Sequence, residues 1–210
     1  MKNLSDCRLY GILDLSYVAP ADVERVALAM IDGGVDLIQL RAKTSSIEEI
    51  VDLAGKLHTI TSAAGIPLIV NDYAEVAAKV SVDGVHLGQD DESIAHTRKK
   101  SGRDILIGKS THSLEQAVAA EREGADYIGF GPIFATPTKP DYQPIGLNGI
   151  KRVHHEVDVP IFCIGGIKID NLGEVMAAGA KRVAIVSGLL KAPDIAKYAR
   201  GCKALLNPEV

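Results

Sequence analysis

Gln39, Arg41 and Lys43 stand at alternate positions at the end of a short apolar run. In a strand that spacing turns all three to one side. Two cations and an amide facing inward are costly unless an anion meets them, and the plain alternative is a solvated charge pair at a strand end. Two further apolar runs end in acids. Asn71-Asp72 closes one, and His86-Leu87-Gly88-Gln89-Asp90-Asp91 follows another. Asp72 and Asp91 together suit Mg2+, which takes one or two carboxylates and completes its shell with water and substrate phosphate. Either acid would equally serve as a helix cap. His86 would hydrogen-bond a ligand from its strand end or sit satisfied in the core.

The same pattern continues along the chain. Gly108-Lys109-Ser110-Thr111-His112-Ser113 follows the fifth apolar run, with Ser113 as a helix cap, Ser110 close enough to touch an anion, and His112 in reach of general-base work if a partner exists. Gly165-Gly166 and Ser187-Gly188 each precede a helical pattern, where glycines and backbone N–H groups can cradle a phosphate or merely make tight turns. From Pro132 to Ile145 there is neither helical nor strand periodicity, and loops of that length in compact domains are usually functional. Thr136, Thr138 and Lys139 give this loop two hydroxyls and a cation, while Pro137 and Pro140 restrict its backbone.

The elements that must position these groups are short β-type runs at 8–13, 35–40, 67–71, 83–87, 104–108, 127–131, 160–165 and 182–187. Most are apolar without alternation, as in parallel strands buried on both faces. Helical patterns fill the gaps. Val23, Val26, Ala27, Met30 and Ile31 follow helical spacing behind Pro20, with Gly33 placed as a stop, and Ile195, Tyr198, Ala199, Cys202, Leu205 and Leu206 form a last apolar stripe. Ser46 with Glu49, and Ser113 with Gln116, read as capping boxes. Eight strands alternating with eight helices predict a (β/α)8 TIM barrel, one domain over residues 1–210, with ligand-facing groups at the strands' C-terminal ends. GVDLIQL at 34 echoes GADYIGF at 124, and IPLIV at 66 echoes VPIFC at 159, which pairs the second strand with the sixth and the third with the seventh. Two similar half-barrels would give that offset.

Composition narrows the partners. With 47% hydrophobic and 24% charged residues the chain is an ordinary globular protein. A net charge of −4 leaves no basic surplus for nucleic acid. Cys7, Cys163 and Cys202 are odd in number and far apart, which fits a reducing, cytoplasmic setting better than a disulfide framework. No apolar stretch reaches membrane-spanning length and none at the start reads as a signal peptide. Small anionic molecules remain the expected partners, and a homo-oligomer is compatible with the sequence.

The motifs QLRAK (39–43), ND (71–72), DGVHLGQDD (83–91), IGKSTH (107–112), GADYIGFGPIFATPTK (124–139), GGI (165–167) and VSG (186–188) keep the order and content of one family. Through them the chain resembles the thiamine phosphate synthases, also called thiamine-phosphate pyrophosphorylases. The resemblance implies a transferase joining hydroxymethylpyrimidine pyrophosphate to hydroxyethylthiazole phosphate through a dissociative, Mg2+-assisted substitution. It also implies Asp72 and Asp91 as metal ligands. Arg41, Lys43, Asn71, Ser110 and Lys139 would meet pyrophosphate, with Arg41, Lys43, Ser110 and Lys139 as the catalytic set. Gln39, Asn71 and His86 would surround the pyrimidine, and Thr136, Thr138, Gly166, Val186 and Ser187 the thiazole phosphate. Two positions depart from the family pattern, Glu75 where Asp is frequent and Gly188 where Ala is. The rivals are a thiazole tautomerase of the same fold, which would use a histidine at position 112, and a non-catalytic binder of thiazole or thiamine phosphates.

Overall fold

The computed structural model describes residues 3–102, 104–136 and 142–207. Strands β1 (Leu9–Asp14), β2 (Leu37–Arg41), β3 (Leu68–Asn71), β4 (Gly84–Leu87), β5 (Leu106–Thr111), β6 (Tyr127–Phe130), β7 (Ile161–Cys163) and β8 (Val183–Ile185) pair in sequence order and close, parallel throughout, into a barrel. Helices α1 (Val23–Asp32), α2 (Ile47–Ala63), α3 (Ala74–Lys79), α4 (Ile94–Ser101), α5 (Leu114–Arg122), α6 (Ile150–Glu156) and α7 (Ile169–Ala177) return the chain between strands. The short α8 (Ser187–Leu190) and α9 (Ile195–Leu206) complete the ring. The architecture is the (β/α)8 barrel expected from the alternation of patterns.

Two apolar layers hold it. The outer layer packs the helices' buried stripes, such as Val26, Ala27 and Met30 of α1, against the outward residues of the strands. The inner layer fills the barrel itself with Tyr10, Ile12, Leu37, Ile69, Tyr127, Phe162 and Ala184, and Leu4 closes it below. Tyr10, Tyr127 and Phe162 meet edge-to-face with ring centroids 5.3–5.9 Å apart, an arrangement favoured by the ring quadrupoles. A Cβ at Gly108 would overlap Tyr127 and crowd His86, so β5 has no side chain where the aromatic layer fills the barrel.

The aspartate shared by GVDLIQL and GADYIGF has a structural role at the barrel's lower rim. Asp36, Asp83 and Asp126 each stand one residue before an even-numbered strand. Each turns its carboxylate back to N–H groups of the preceding strand: Asp36 to Arg8 and Leu9 (2.8 and 3.0 Å), Asp83 to Leu68 (2.8 Å), Asp126 to Ile107 (2.7 Å). These carboxylates satisfy donors that lie before the ladder with the following strand begins. Lys203 and Arg98 neutralise Asp36 and Asp126.

Two local expectations are corrected. β5 starts later and runs further than its apolar stretch suggested, so Lys109, Ser110 and Thr111 belong to the strand rather than to the loop after it. The Ser46–Glu49 box forms in full, whereas Ser113 caps α5 but Gln116 reaches back to the His112 N–H instead of closing a box. Gly33 ends α1 as its C-cap, as its position predicts, and Gly34, at φ 84°, makes the left-handed turn.

Away from the mouth, α6 carries His154, whose imidazole is pushed down to about 4 by burial, with Lys181 and Arg182 adding to the effect. The unfolded chain takes up this proton near 6.5, while the folded protein resists it until about 4. Acid therefore favours the unfolded chain across that window, and this contribution to stability is complete only above it. Thermal melts between pH 7 and 4 are expected to show Tm falling as pH drops, with a shallower fall in His154→Gln. Identical slopes in the two proteins would place the acid sensitivity elsewhere.

Candidate active site

The C-terminal end of the barrel opens into a cavity continuous with solvent. Its lining includes Gln39, Arg41, Asn71, His86, Ser110, Thr136, Gly166, Val186 and Ser187, contributed by strand ends and loops all around the ring. Nine residues singled out for their chemistry thus converge on one mouth. Thr138 and Lys139 lie outside the described residues.

Strand parity explains the inner set. Gln39 and Arg41 occupy alternate positions of β2 and both face the cavity, Gln39 deep and Arg41 nearer the rim. Arg41 is held by Asp14, the last residue of the neighbouring strand, at 2.5 Å. Asp14 is only 2% exposed and takes two further hydrogen bonds from the Ser16 N–H and hydroxyl. Asn71, 8% exposed, has no partner for its buried Nδ2 among the described residues. An amide donor buried in a cavity wall without an acceptor is costly unless a ligand supplies one.

His86 is satisfied by protein partners while lining the cavity. Nδ1 meets the Tyr127 hydroxyl at 3.2 Å and Nε2 meets the Ser110 hydroxyl at 3.0 Å, so the ring is satisfied in the core and also lines the cavity. Ser110 is fixed a second time, because Gln89 donates to its carbonyl at 2.5 Å. His112 also lines the cavity. Its Nδ1 donates to the Gly131 carbonyl at 2.5 Å, and its ring lies 4.5 Å from that of Tyr142.

The acids stand at the rim and are not helix caps. Tyr73 precedes α3 without a capping bond, and Ser93 caps α4. Asp72 is held at φ 68°, an unusual conformation for a non-glycine residue. Its carboxylate pairs with Lys43 at 2.6 Å, so Lys43 reaches the acid pair rather than the cavity wall. Asp91 folds back to accept the Gly88 N–H at 2.5 Å and faces Asp72 within hydrogen-bonding reach. Burial lifts the Asp72 carboxyl above its ordinary range, with Lys43 opposing and Asp91 adding to the lift. Burial acts against the Asp91 charge as well, yet the Gly88 N–H, Asp72, Lys43 and Lys109 together hold that carboxyl below its ordinary range. Two carboxylates this close push their affinities for a proton apart.

Across the mouth, Gly165 and Gly166 adopt φ values of 97° and 66°. A Cβ on Gly165 would overlap Pro132, and one on Gly166 would sit 2.7 Å from the Ala135 carbonyl oxygen. The glycines therefore admit the loop after β6, which donates its Ile133 N–H to the Ile164 carbonyl and its Phe134 N–H to the Gly165 carbonyl. Gly166 remains part of the cavity wall.

Sequence reasoning missed four supporting groups, Tyr10, Asp14, Gln89 and Tyr127. Asp14 was within reach of the rule applied to the other strand ends, since it is an acid closing an apolar run. Tyr10 and Tyr127 lie in runs without alternation, where inward and outward positions look alike.

A closed parallel barrel whose mouth gathers a guanidinium, hydroxyls, amides and a rim of facing acids defines an enzyme of the (β/α)8 class. A family model described as thiamine monophosphate synthase matches residues 9–189. The chain is 43% identical to the thiamine-phosphate synthase of Chloroflexus aurantiacus, over 98% of this chain and 95% of that protein. It is 44% identical to the one from Halalkalibacterium halodurans, over 91% and 92%. The solved structure of thiamine phosphate pyrophosphorylase from Pyrococcus furiosus matches with a TM-score of 0.87 at 31% identity, covering 97% of each chain. The chain belongs to the thiamine monophosphate synthase family, and it is a transferase. Among the described residues, no helix is long and apolar enough to cross a membrane.

Proposed function

We propose that this protein joins hydroxymethylpyrimidine pyrophosphate to hydroxyethylthiazole phosphate, giving thiamine phosphate and pyrophosphate, as one cytoplasmic domain spanning residues 1–210. The observation that carries the reading is the Asp72–Asp91 pair, facing each other beside Lys43 at the rim of a mouth that holds Arg41. Among the described residues no third His, Cys, Asp or Glu joins the pair into a metal-binding cluster. A structural zinc site would need four protein ligands. Mg2+ keeps water and substrate phosphate oxygens around it, so two carboxylates at an open mouth fit Mg2+. Bound by Asp72 and Asp91, it would neutralise negative charge on the pyrophosphate.

The chain's own residues do the remaining work. Arg41, Lys43 and Ser110 direct positive charge and a hydroxyl at the pyrophosphate, joined by Lys139, which stabilises the charge that grows as the leaving group departs. Asn71 offers its unpartnered N–H to a ligand acceptor, and Gln39 and His86 flank the pyrimidine. Thr136, Thr138, Gly166, Val186 and Ser187 serve the thiazole phosphate. In the dissociative course, the bond from the pyrimidine methylene to the pyrophosphate oxygen breaks first and its electron pair leaves with pyrophosphate. The thiazole nitrogen then gives its lone pair to the methylene carbon, so the enzyme's part is to hold the two reactants in line. No covalent nucleophile is needed.

Mixing both substrates with Mg2+ is expected to give thiamine phosphate, followed by its oxidation to fluorescent thiochrome. No product at any Mg2+ concentration, alongside isomerisation of the thiazole precursor alone, would assign the protein to the tautomerase reading. Binding without either reaction would make it a carrier.

A further inference from the structure

A line of hydrogen bonds runs from the cavity wall through the barrel's interior and back to the cavity. The Gln39 amide donates to the Tyr10 hydroxyl at 2.6 Å. Tyr10 and Tyr127 share a hydroxyl–hydroxyl contact of 3.0 Å, Tyr127 meets His86 Nδ1 at 3.2 Å, and His86 Nε2 meets Ser110 Oγ at 3.0 Å. Tyr10 and Tyr127 are buried, and burial raises both phenols, so each keeps its proton and is available as a donor.

The direction of this line follows from counting protons. Tyr10 already accepts from Gln39, and its own proton has one further partner, the Tyr127 oxygen. Tyr127 then spends its proton on His86, and a nitrogen that accepts a hydrogen bond carries no proton itself. Nδ1 is therefore the bare nitrogen, and Nε2–H donates to Ser110. Having accepted that bond, the Ser110 hydroxyl keeps its own proton for the cavity. The reverse direction would leave a buried phenol proton facing an N–H donor, with no acceptor.

We propose that Tyr127 is a positioning residue, holding His86 with its proton on Nε2 and thereby turning the Ser110 hydroxyl into a donor toward an anionic ligand. The proposal rests on the proposed function only in naming that anion as the pyrophosphate. A phosphate oxygen at neutral pH only accepts hydrogen bonds, so a serine turned the other way would present its lone pair to the ligand and repel it. The tautomer is thus set in advance of binding by the Tyr127 hydroxyl, which lies behind the cavity lining, as preorganised donors require.

Long-range proton–nitrogen spectra of protein labelled with 15N-histidine test this without substrate. His86→Asn identifies the His86 resonances among the six histidines. In the ligand-free wild type, Nδ1 is expected at the shift of a lone-pair nitrogen and Nε2 at that of a protonated one. In Tyr127→Phe the His86 proton is expected to divide between the two nitrogens. Turnover should fall about tenfold, the worth of one well-placed hydrogen bond, with KM for thiazole phosphate unchanged. A wild-type His86 protonated at Nδ1 would overturn the proposal, and so would a Tyr127→Phe spectrum with the wild-type pattern. Should Tyr127→Phe not fold, the wild-type spectrum decides alone. The expected tautomer in a protein that forms no thiamine phosphate would uphold the hydrogen-bond line and overturn the functional reading instead.

Discussion

Asp91→Asn is expected to lower thiamine phosphate formation by about 100- to 1000-fold, the range found when a group stabilising transition-state charge is removed. It should leave the binding of hydroxyethylthiazole phosphate nearly intact. Asn keeps the shape of Asp, and its side-chain oxygen can still accept the Gly88 N–H that folds the loop after β4. What disappears is the charge. Asp72 then faces a neutral amide, with only Lys43 beside it at 2.6 Å, and the pair no longer offers two anionic oxygens to a cation. The expected signature is a strongly raised Mg2+ requirement, a wild-type melting temperature and an unchanged calorimetric affinity for the thiazole phosphate. That ligand is assigned to the far rim, where Gly166, Val186 and Ser187 line the cavity. Equal losses of turnover and thiazole phosphate affinity would mean that the mouth is not divided into two subsites.

The gathering of these residues at one mouth was legible in the sequence because it depends on order along the chain. A residue just past an apolar run in a parallel barrel must lie at the mouth, whichever way its neighbours pack. That rule located Arg41, Asn71, Asp72, His86, Asp91, Ser110 and Gly166 without knowledge of any contact. Contacts between strands obey no such rule. Tyr10 and Tyr127 are 117 residues apart and meet inside a closed barrel, and nothing local in RLYGIL marks Tyr10 as inward. The choice between cap and ligand for Asp72 depended on backbone angles, since the positive φ there turns the carboxylate toward Lys43 rather than over the first turn of α3. The glycines at 165 and 166 show the reverse limit. Their closeness to a ligand was expected, but their first structural consequence is to admit the loop after β6.

Arg41 combines both kinds of information, and its replacement separates them. Arg41→Ala removes the guanidinium assigned to pyrophosphate and also leaves Asp14 buried beside its lost partner, with Ser16 as its remaining hydrogen-bond donor. Breaking a buried ion pair by removing one member typically costs about 3–5 kcal/mol, because the remaining charge stays desolvated. Arg41→Ala is therefore expected to lose about 3 kcal/mol of stability in urea unfolding and about 100-fold or more in turnover. The double variant Asp14→Asn/Arg41→Ala should recover most of the stability, since a neutral amide at position 14 still accepts from Ser16 and carries no stranded charge. Its turnover should stay as low as that of the single variant. The two readouts then part: stability follows the pairing of charges at β1 and β2, and turnover follows the cation offered to the leaving group. If turnover returned together with stability, Arg41 would be a structural partner of Asp14, and the charge on the departing pyrophosphate would fall to Lys43, Lys139 and the metal.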